Sequence, residues 1–202
     1  MKKLKKINLG LVLTLIVLIA VVIYSIKVEG QRKSSKEEIR KCCEEYVDLI
    51  DKYLVLPESA QVFGEDVKGI KLDSHYEEME NKLKEVMLNE SAVKIEKSIL
   101  SDYVERDLLN TTTFITSFDR QILKIRSYDF DGNQVTVSFD SKINIKQKYI
   151  DVNVETGEKQ ERVKESNVEG IRDTITLEKK DGKWKVVYSE LNFGESEFRN
   201  AM

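Results

Sequence analysis

His75 is the chain's one histidine and the first place to look for acid–base chemistry. An imidazole titrates near neutrality, but as a base it needs a positioned partner and a pocket. Its neighbours Asp73, Glu77 and Glu78 are acidic, and Ser74-His75-Tyr76-Glu77 has the form of a helix-opening capping box. That places His75 in the first turn of a helix, as a surface group. Asp129-Phe130-Asp131-Gly132-Asn133 has the opening of a calcium loop, with Asp140 at its twelfth position. The sixth position is Gln134 rather than glycine, and the following residues alternate like a strand, so a hairpin turn is expected instead. Cys42 and Cys43 are adjacent, which forbids an unstrained bridge between them and falls short of a zinc set. Cys43 reads as a small core residue, Cys42 as a helix flank, and a disulfide across a dimer is the alternative. Asn89-Glu90-Ser91 and Asn110-Thr111-Thr112 fit the N-glycosylation pattern. No phosphate loop, nucleophile elbow or C-x-x-C is present. The expectation is a protein that is not an enzyme, with no catalytic set, no metal site and no cofactor.

Stepping along the chain gives the elements that would position any site. Ser35-Lys36-Glu37-Glu38 is a capping box, and Ile39, Cys43, Tyr46, Val47, Ile50 and Leu54 follow at helical spacing until Pro57. A second helix should open at Ser74, with Tyr76, Met79, Leu83, Val86 and Met87 as its stripe. A third should run from Ala92 to Leu108, with Ala92, Ile95, Ile99, Tyr103 and Leu108 on or near one face. After Asn110 the period becomes alternating. Thr111–Phe118 is a short strand or an extended lead-in, and Ile122–Phe130 is a strand. Asp131-Gly132 is a tight turn, and Val135, Val137, Phe139, Ile143, Ile145 and Tyr149 form a long half-buried strand. The parity flips at Ile150, Val152 and Val154, which predicts a bulge or a strand reaching past the core. The charged stretch Glu158–Glu169, with Lys159, Arg162 and Lys164, reads as an exposed hairpin tip and a candidate interaction surface. A strand over Ile171–Leu177, the turn Asp181-Gly182 and a last strand over Lys183–Phe193 complete the order. The fold class expected is α+β: an N-terminal transmembrane helix, then three helices packed on a curved antiparallel sheet of about four strands.

The transmembrane expectation rests on Ile7–Ile26, twenty consecutive uncharged and mostly aliphatic residues behind Lys2, Lys3, Lys5 and Lys6. At about 1.5 Å of rise per residue such a helix matches the hydrocarbon thickness of a bilayer. It is longer than a cleaved leader's apolar core and lacks a small-x-small cleavage site. The leading lysines favour a cytoplasmic N-terminus and a translocated C-terminal domain. Residues 1–27 hold five of the 33 basic residues and no acidic one, leaving 28 basic against 36 acidic, a net −8. That balance argues against nucleic-acid binding, which needs a basic footprint. The expected organisation is a basic segment 1–6, an anchor 7–27 in the lipid bilayer, a linker 28–34, one extracytoplasmic domain 35–193 and a polar tail 194–202.

The helix-first order together with Lys180-Asp181-Gly182-Lys183-Trp184-Lys185-Val186-Val187-Tyr188 resembles the nuclear transport factor 2-like, or cystatin-like, α+β cone superfamily. The D-G-x-W-K-V hairpin of that superfamily forms its last two strands. A single anchor followed by such a domain is similar to the bridging subunits of type IV secretion and conjugation machines. The resemblance implies a cone whose inner face could hold a ligand, with Trp184, Tyr188 and Tyr128 as candidate lining. It also implies that an enzyme of this kind would place a His-Asp or Asp-Arg pair inside the cone, and no such pair is evident in the sequence. The expected role is a non-enzymatic interaction or assembly module with a protein partner or as a homo-oligomer, in a secretion, conjugation or cell-envelope complex; the alternative is a small-ligand-binding or sensing ectodomain.

Overall fold

A computed structural model describes residues 18–19, 35–63, 69–110 and 112–193. The expected anchor over 7–27 lies outside the described residues apart from Leu18 and Ile19, as do the linker 28–34 and the tail 194–202. Among the described residues no helix is long and apolar enough to cross a membrane. The chain divides into two units, Met1–Arg40 and Lys41–Met202. In the first, residues 35–40 are helical.

Helix α1 is described over 35–53, ending ahead of Pro57, and its residues 41–53 belong to the second unit with α2 (Asp73–Val86), α3 (Glu90–Leu109) and strands β1 (Thr113–Asp131), β2 (Gln134–Val152), β3 (Lys159–Lys180) and β4 (Lys183–Glu190). The strands form one antiparallel meander in the order β1-β2-β3-β4. Three helices followed by a four-stranded antiparallel sheet is the α+β arrangement that the change of period predicts. Helix α1 lies across the sheet: Cys42 and Tyr46 reach β4, where Cys42 Sγ meets the Trp184 carbonyl, and Asp51 reaches β1. Its stripe Cys43, Tyr46, Val47 and Ile50 is buried, as are Val135, Val137, Phe139, Ile143 and Ile145 of β2 and Ile175 and Leu177 of β3. Period-two alternation puts each strand set on the one face that the helices cover. A second cluster, Leu56, Ala60, Leu72, Val104 and Phe114, closes under the connection between α1 and α2.

Several local expectations change. Helix α2 begins at Asp73 with Leu72 in the cap position and no side-chain cap, so Ser74 lies inside the helix. Helix α3 begins earlier, because the Asn89 side chain accepts from the Ala92 amide at 2.9 Å. Its buried face is Ala92, Val93, Glu96, Leu100 and Val104, whereas Ile95 and Ile99 are 58% and 40% exposed. The apolar count chose the wrong stripe because the true one carries a glutamate. Strand β1 is continuous, with register shifts at Ile115/Ser117, Ile122/Lys124 and Ile125/Ser127. There is no shift at Ile150. The pairing of β2 with β3 slips once, at Ser141/Lys142, where Gly170 adopts a φ of 77° that favours glycine. Beyond it β2 and β3 stay paired past Ile145, the last core residue of β2, so Lys159–Glu169 is strand and the turn lies at residues 153–158. The Asp181-Gly182 turn has positive φ at both residues, the primed geometry that matches strand twist, and β4 ends at Glu190 rather than Phe193.

The two sheet edges differ. Leu88 N donates to the Val186 carbonyl at 2.8 Å and Met87 bridges Val186, so the α2–α3 connector covers the edge of β4. The outer edge of β1 has no neighbouring strand among the described residues.

Candidate functional site

Buried polar groups need partners, and here they find one another. Arg120 on β1 pairs in register with Ile143 and so points to the helix-covered face. Its Nη1 stands 2.8 Å from Asp173 Oδ2 on β3, and its Nη2 donates to the Asn192 carbonyl at 3.0 Å. The Nη1 contact is a close charge pair without hydrogen-bond alignment. Ser141 on β2 donates to the same Asp173 oxygen, and the Asn192 amide donates to Asp173 Oδ1 at 2.8 Å. The guanidinium is flanked by the rings of Phe193 and Phe118, 5.3 and 5.8 Å from their centroids. Tyr103 of α3 meets Phe193 edge-on at 4.8 Å.

Asp51 on α1 completes the cluster. Its Oδ2 accepts the Arg120 main-chain N–H at 2.5 Å, and its Oδ1 lies 3.8 Å from Arg120 Nε. One guanidinium thus serves two buried carboxylates. Burial pushes the Asp51 carboxyl up to about 7, against the pull of Arg120. A parallel contact occurs nearby: Asp107 on α3 accepts the Ile115 amide at 2.8 Å, and burial raises it to about 7 as well. Two helices therefore each hold β1 through a carboxylate on a main-chain amide.

A second buried polar group joins α1, α3 and β4. Tyr46 OH and Ser189 Oγ are 2.8 Å apart, and Ser189 Oγ donates to Glu96 Oε2 at 3.3 Å. Burial raises the Glu96 carboxyl, and burial together with Glu96 raises the Tyr46 phenol. The Arg120 side chain has no exposed surface, and its charged end is occupied by Asp173 and Asn192.

Tyr188 pairs with Thr176, on the face opposite to Ile175 and Leu177, because a register shift at Thr176/Leu177 turns it outward; it is 53% exposed. Trp184 pairs with Lys179, whose ammonium lies 5.5 Å from the indole centroid, and Tyr128 pairs with Val137 and stacks on Phe130. Trp184 and Tyr128 stand on β4 and β1 with two strands between them, so the three aromatics do not converge. His75 is half-buried against Tyr53, 5.3 Å between rings, rather than on the surface, and burial lowers its pKa. Asp129 and Asp140 lie on different strands, Asp140 held by Arg126 at 2.6 Å. Cys43 is buried and Cys42 partly so, both with free thiols. Asn110, like Asn89, turns its side chain to nearby amides, accepting from Thr112 and Thr113. In the hairpin, Arg162 pairs with Asp151 at 2.9 Å and Glu169 with Lys142 at 2.9 Å, next to Lys146–Glu165 and Lys148–Glu161. Glu158, Lys159 and Lys164 belong to the same hairpin, and Val154 at its turn is 98% exposed.

The Asp-Arg pair was missed in the sequence, although a signal exists. Arg120 sits on the parity of Phe118 and Ile122, Ser141 on that of Phe139 and Ile143, and Asp173 on that of Ile171 and Ile175. Three polar residues at inward positions of three successive strands point to a buried polar cluster.

Compared with known proteins, the chain matches no protein-family model. No curated protein matches it either. Among solved structures it is similar to the intermembrane space region of chloroplast protein ARC6, at 13% identity over 74% of this chain and 93% of that one, with a TM-score of 0.32. It is also similar to a nuclear transport factor 2-like superfamily protein from Salmonella enterica serovar Typhimurium, at 14% identity over 81% of this chain and 98% of that one, with a TM-score of 0.34. Overlaps of this size leave the family unassigned.

Proposed function

We propose that this chain is a single-pass membrane protein with a nuclear transport factor 2-like domain outside the cytoplasm, acting as a non-enzymatic interaction or assembly module in a secretion, conjugation or cell-envelope complex. The observation that carries the reading is the β2–β3 hairpin. The last partner of β4 on β3 is Thr174, so the outer edge of β3 below it has no strand beside it among the described residues. Val152, Val154 and Val163 are exposed on the hairpin, and cross-strand ion pairs hold it straight. Such an edge can accept a partner's extended segment through main-chain hydrogen bonds. The polar clusters support a non-catalytic role, because the Arg120 and Asp173 side chains are buried against each other. The test is in-cell crosslinking from a photoreactive residue at Arg162. Specific adducts are expected; a chain that stays monomeric and uncrosslinked overturns the reading.

A small-ligand-binding role is the second reading. It is favoured by Trp184 Nε1, a buried donor with no hydrogen-bond partner among the described residues. An indole fluorescence shift with a small-molecule panel would support it, and invariance across the panel would remove it.

A further inference from the structure

Strand β1 presents a second unpaired edge, and its chemistry is patterned along its length. From Gln121 to Asp131 no strand lies beside it among the described residues, and Leu123 and Phe130 are about half exposed there. Pairing with β2 divides the stretch into two faces. Ile122, Ile125, Tyr128 and Phe130 lie opposite Ser141, Phe139, Val137 and Val135 on the helix-covered side. Lys124, Ser127, Asp129 and Asp131 lie opposite Asp140, Ser138, Thr136 and Gln134 on the other. Leu123 and Arg126 take up the two register shifts.

Charge is separated along the second face. At one end Lys124 stands beside Arg126, and Arg126 and Arg172 both bear on the single carboxylate of Asp140, so cations are in excess. At the other end Asp129 accepts a neutral hydroxyl, from Ser127 at 2.9 Å, and Asp131 follows. A strand with cations at one end and carboxylates at the other is complementary to its own antiparallel copy. Antiparallel neighbours in one sheet must place like faces together, which limits the possible registers. With the two shifts counted, a twofold axis at Ser127 satisfies every position. Ser127 then faces Ser127, Lys124 faces Asp129, Ile125 faces Tyr128, and Ile122 faces Phe130.

We propose that the edge of β1 over residues 121–131 is the contact surface for a second copy of this chain, joining two sheets antiparallel about Ser127. The proposal deepens the interaction reading and rests on it, but it names a different edge from the hairpin. Cross-strand opposite charges and apolar pairs each favour such a register, and like charges directly opposed disfavour it. Asp51 and Asp107 hold β1 at Arg120 and Ile115, on the side of Gln121 away from this stretch, and leave the stretch itself open.

The test uses the full chain in membranes of cells that express it. Directly facing residues on antiparallel strands bring their Cβ atoms to about 4.5–5.5 Å, close to disulfide reach. Ser127→Cys should therefore give a covalent dimer under copper–phenanthroline oxidation, while wild type and the exposed helix variant Lys94→Cys should not. Adding Lys124→Glu should abolish the dimer, and adding Asp129→Lys to that variant should restore it. Dimer from Ser127→Cys no greater than from Lys94→Cys overturns the proposal, as does indifference to Lys124→Glu. Loss of the Ser127 dimer with Arg162 adducts intact would sink this pairing and leave the interaction reading standing. Loss of the Arg162 adducts with the Ser127 dimer intact would remove the hairpin as a partner surface and leave the β1 edge as the contact.

Discussion

Asp51 and Arg120 meet twice: the carboxylate accepts the arginine's own main-chain amide at 2.5 Å, and its second oxygen lies 3.8 Å from Nε of the same side chain. Backbone and side chain of one β1 residue are thus bound to one α1 residue. Helix and edge strand are fixed in both position and rotation by a single pair. Because Asp173 claims the far side of the guanidinium, the pair is also the link between α1 and β3.

Removing the cation should be severe. Arg120→Met leaves Asp51 and Asp173 buried without a positive partner, a loss of roughly 3–5 kcal/mol for breaking one side of a buried pair. Urea unfolding of the purified full chain would measure it. Replacing Arg120, Asp51 and Asp173 together by apolar residues of similar volume should cost much less than Arg120→Met alone, since no orphaned charge remains.

Stability should fall as pH rises. Asp51 and Asp107 have folded-state pKa values raised from 3.8 to about 7, so the native state holds more protons than the unfolded chain between these values. Their contribution is fully present below 3.8 and lost as pH passes through about 7. Glu96 acts in the same direction, and His75, whose pKa is lowered, acts in the opposite one. Asp51→Asn keeps an acceptor for the Arg120 amide and should flatten the slope by an amount on the order of 2–4 kcal/mol. Urea midpoints at pH 4.5 and pH 8 would decide; an unchanged slope would show that Asp51 is ionised throughout.

The buried face of α3 predicts a contrast among its aliphatic residues. Leu100→Ala should cost about 2–5 kcal/mol, as a large-to-small change in a core does, whereas Ile95→Ala and Ile99→Ala should each stay within about 0.5 kcal/mol. Thermal unfolding of the three variants checks the assignment directly.

Tyr46→Phe removes one hydroxyl from the Tyr46–Ser189–Glu96 cluster and should cost about 1 kcal/mol. Glu96→Gln keeps the acceptor and removes the charge, so it should cost less at pH 8 than Glu96→Ala. A larger loss for Gln than for Ala would contradict the network as described.

Much of the architecture is legible in the residues themselves. The change from helical to alternating period after Asn110, and the D-G turns at 131–132 and 181–182, suffice for three helices and four antiparallel strands. What escaped were features in which a polar residue stands where an apolar one belongs. Glu96 hid the true stripe of α3, and Arg120, Ser141 and Asp173 were absorbed into regular strands. Bulges are equally opaque to a period count. Gly170 and the shift at Thr176/Leu177 change which side a residue faces, and this is why Tyr188 stands outside while Ser189 reaches inward. The buried contact between Asp51 and Arg120 joins residues 69 apart, a relation that no local pattern carries.

The tie between Leu88 and Val186 has a temporal consequence. The connector of the earlier-made helices waits for the strand that is made last in the sheet, so it has no main-chain partner there until β4 has been synthesised. A chain cut short before Lys183 would leave both that connector and the end of β3 as unpaired backbone, a form that quality-control proteases recognise.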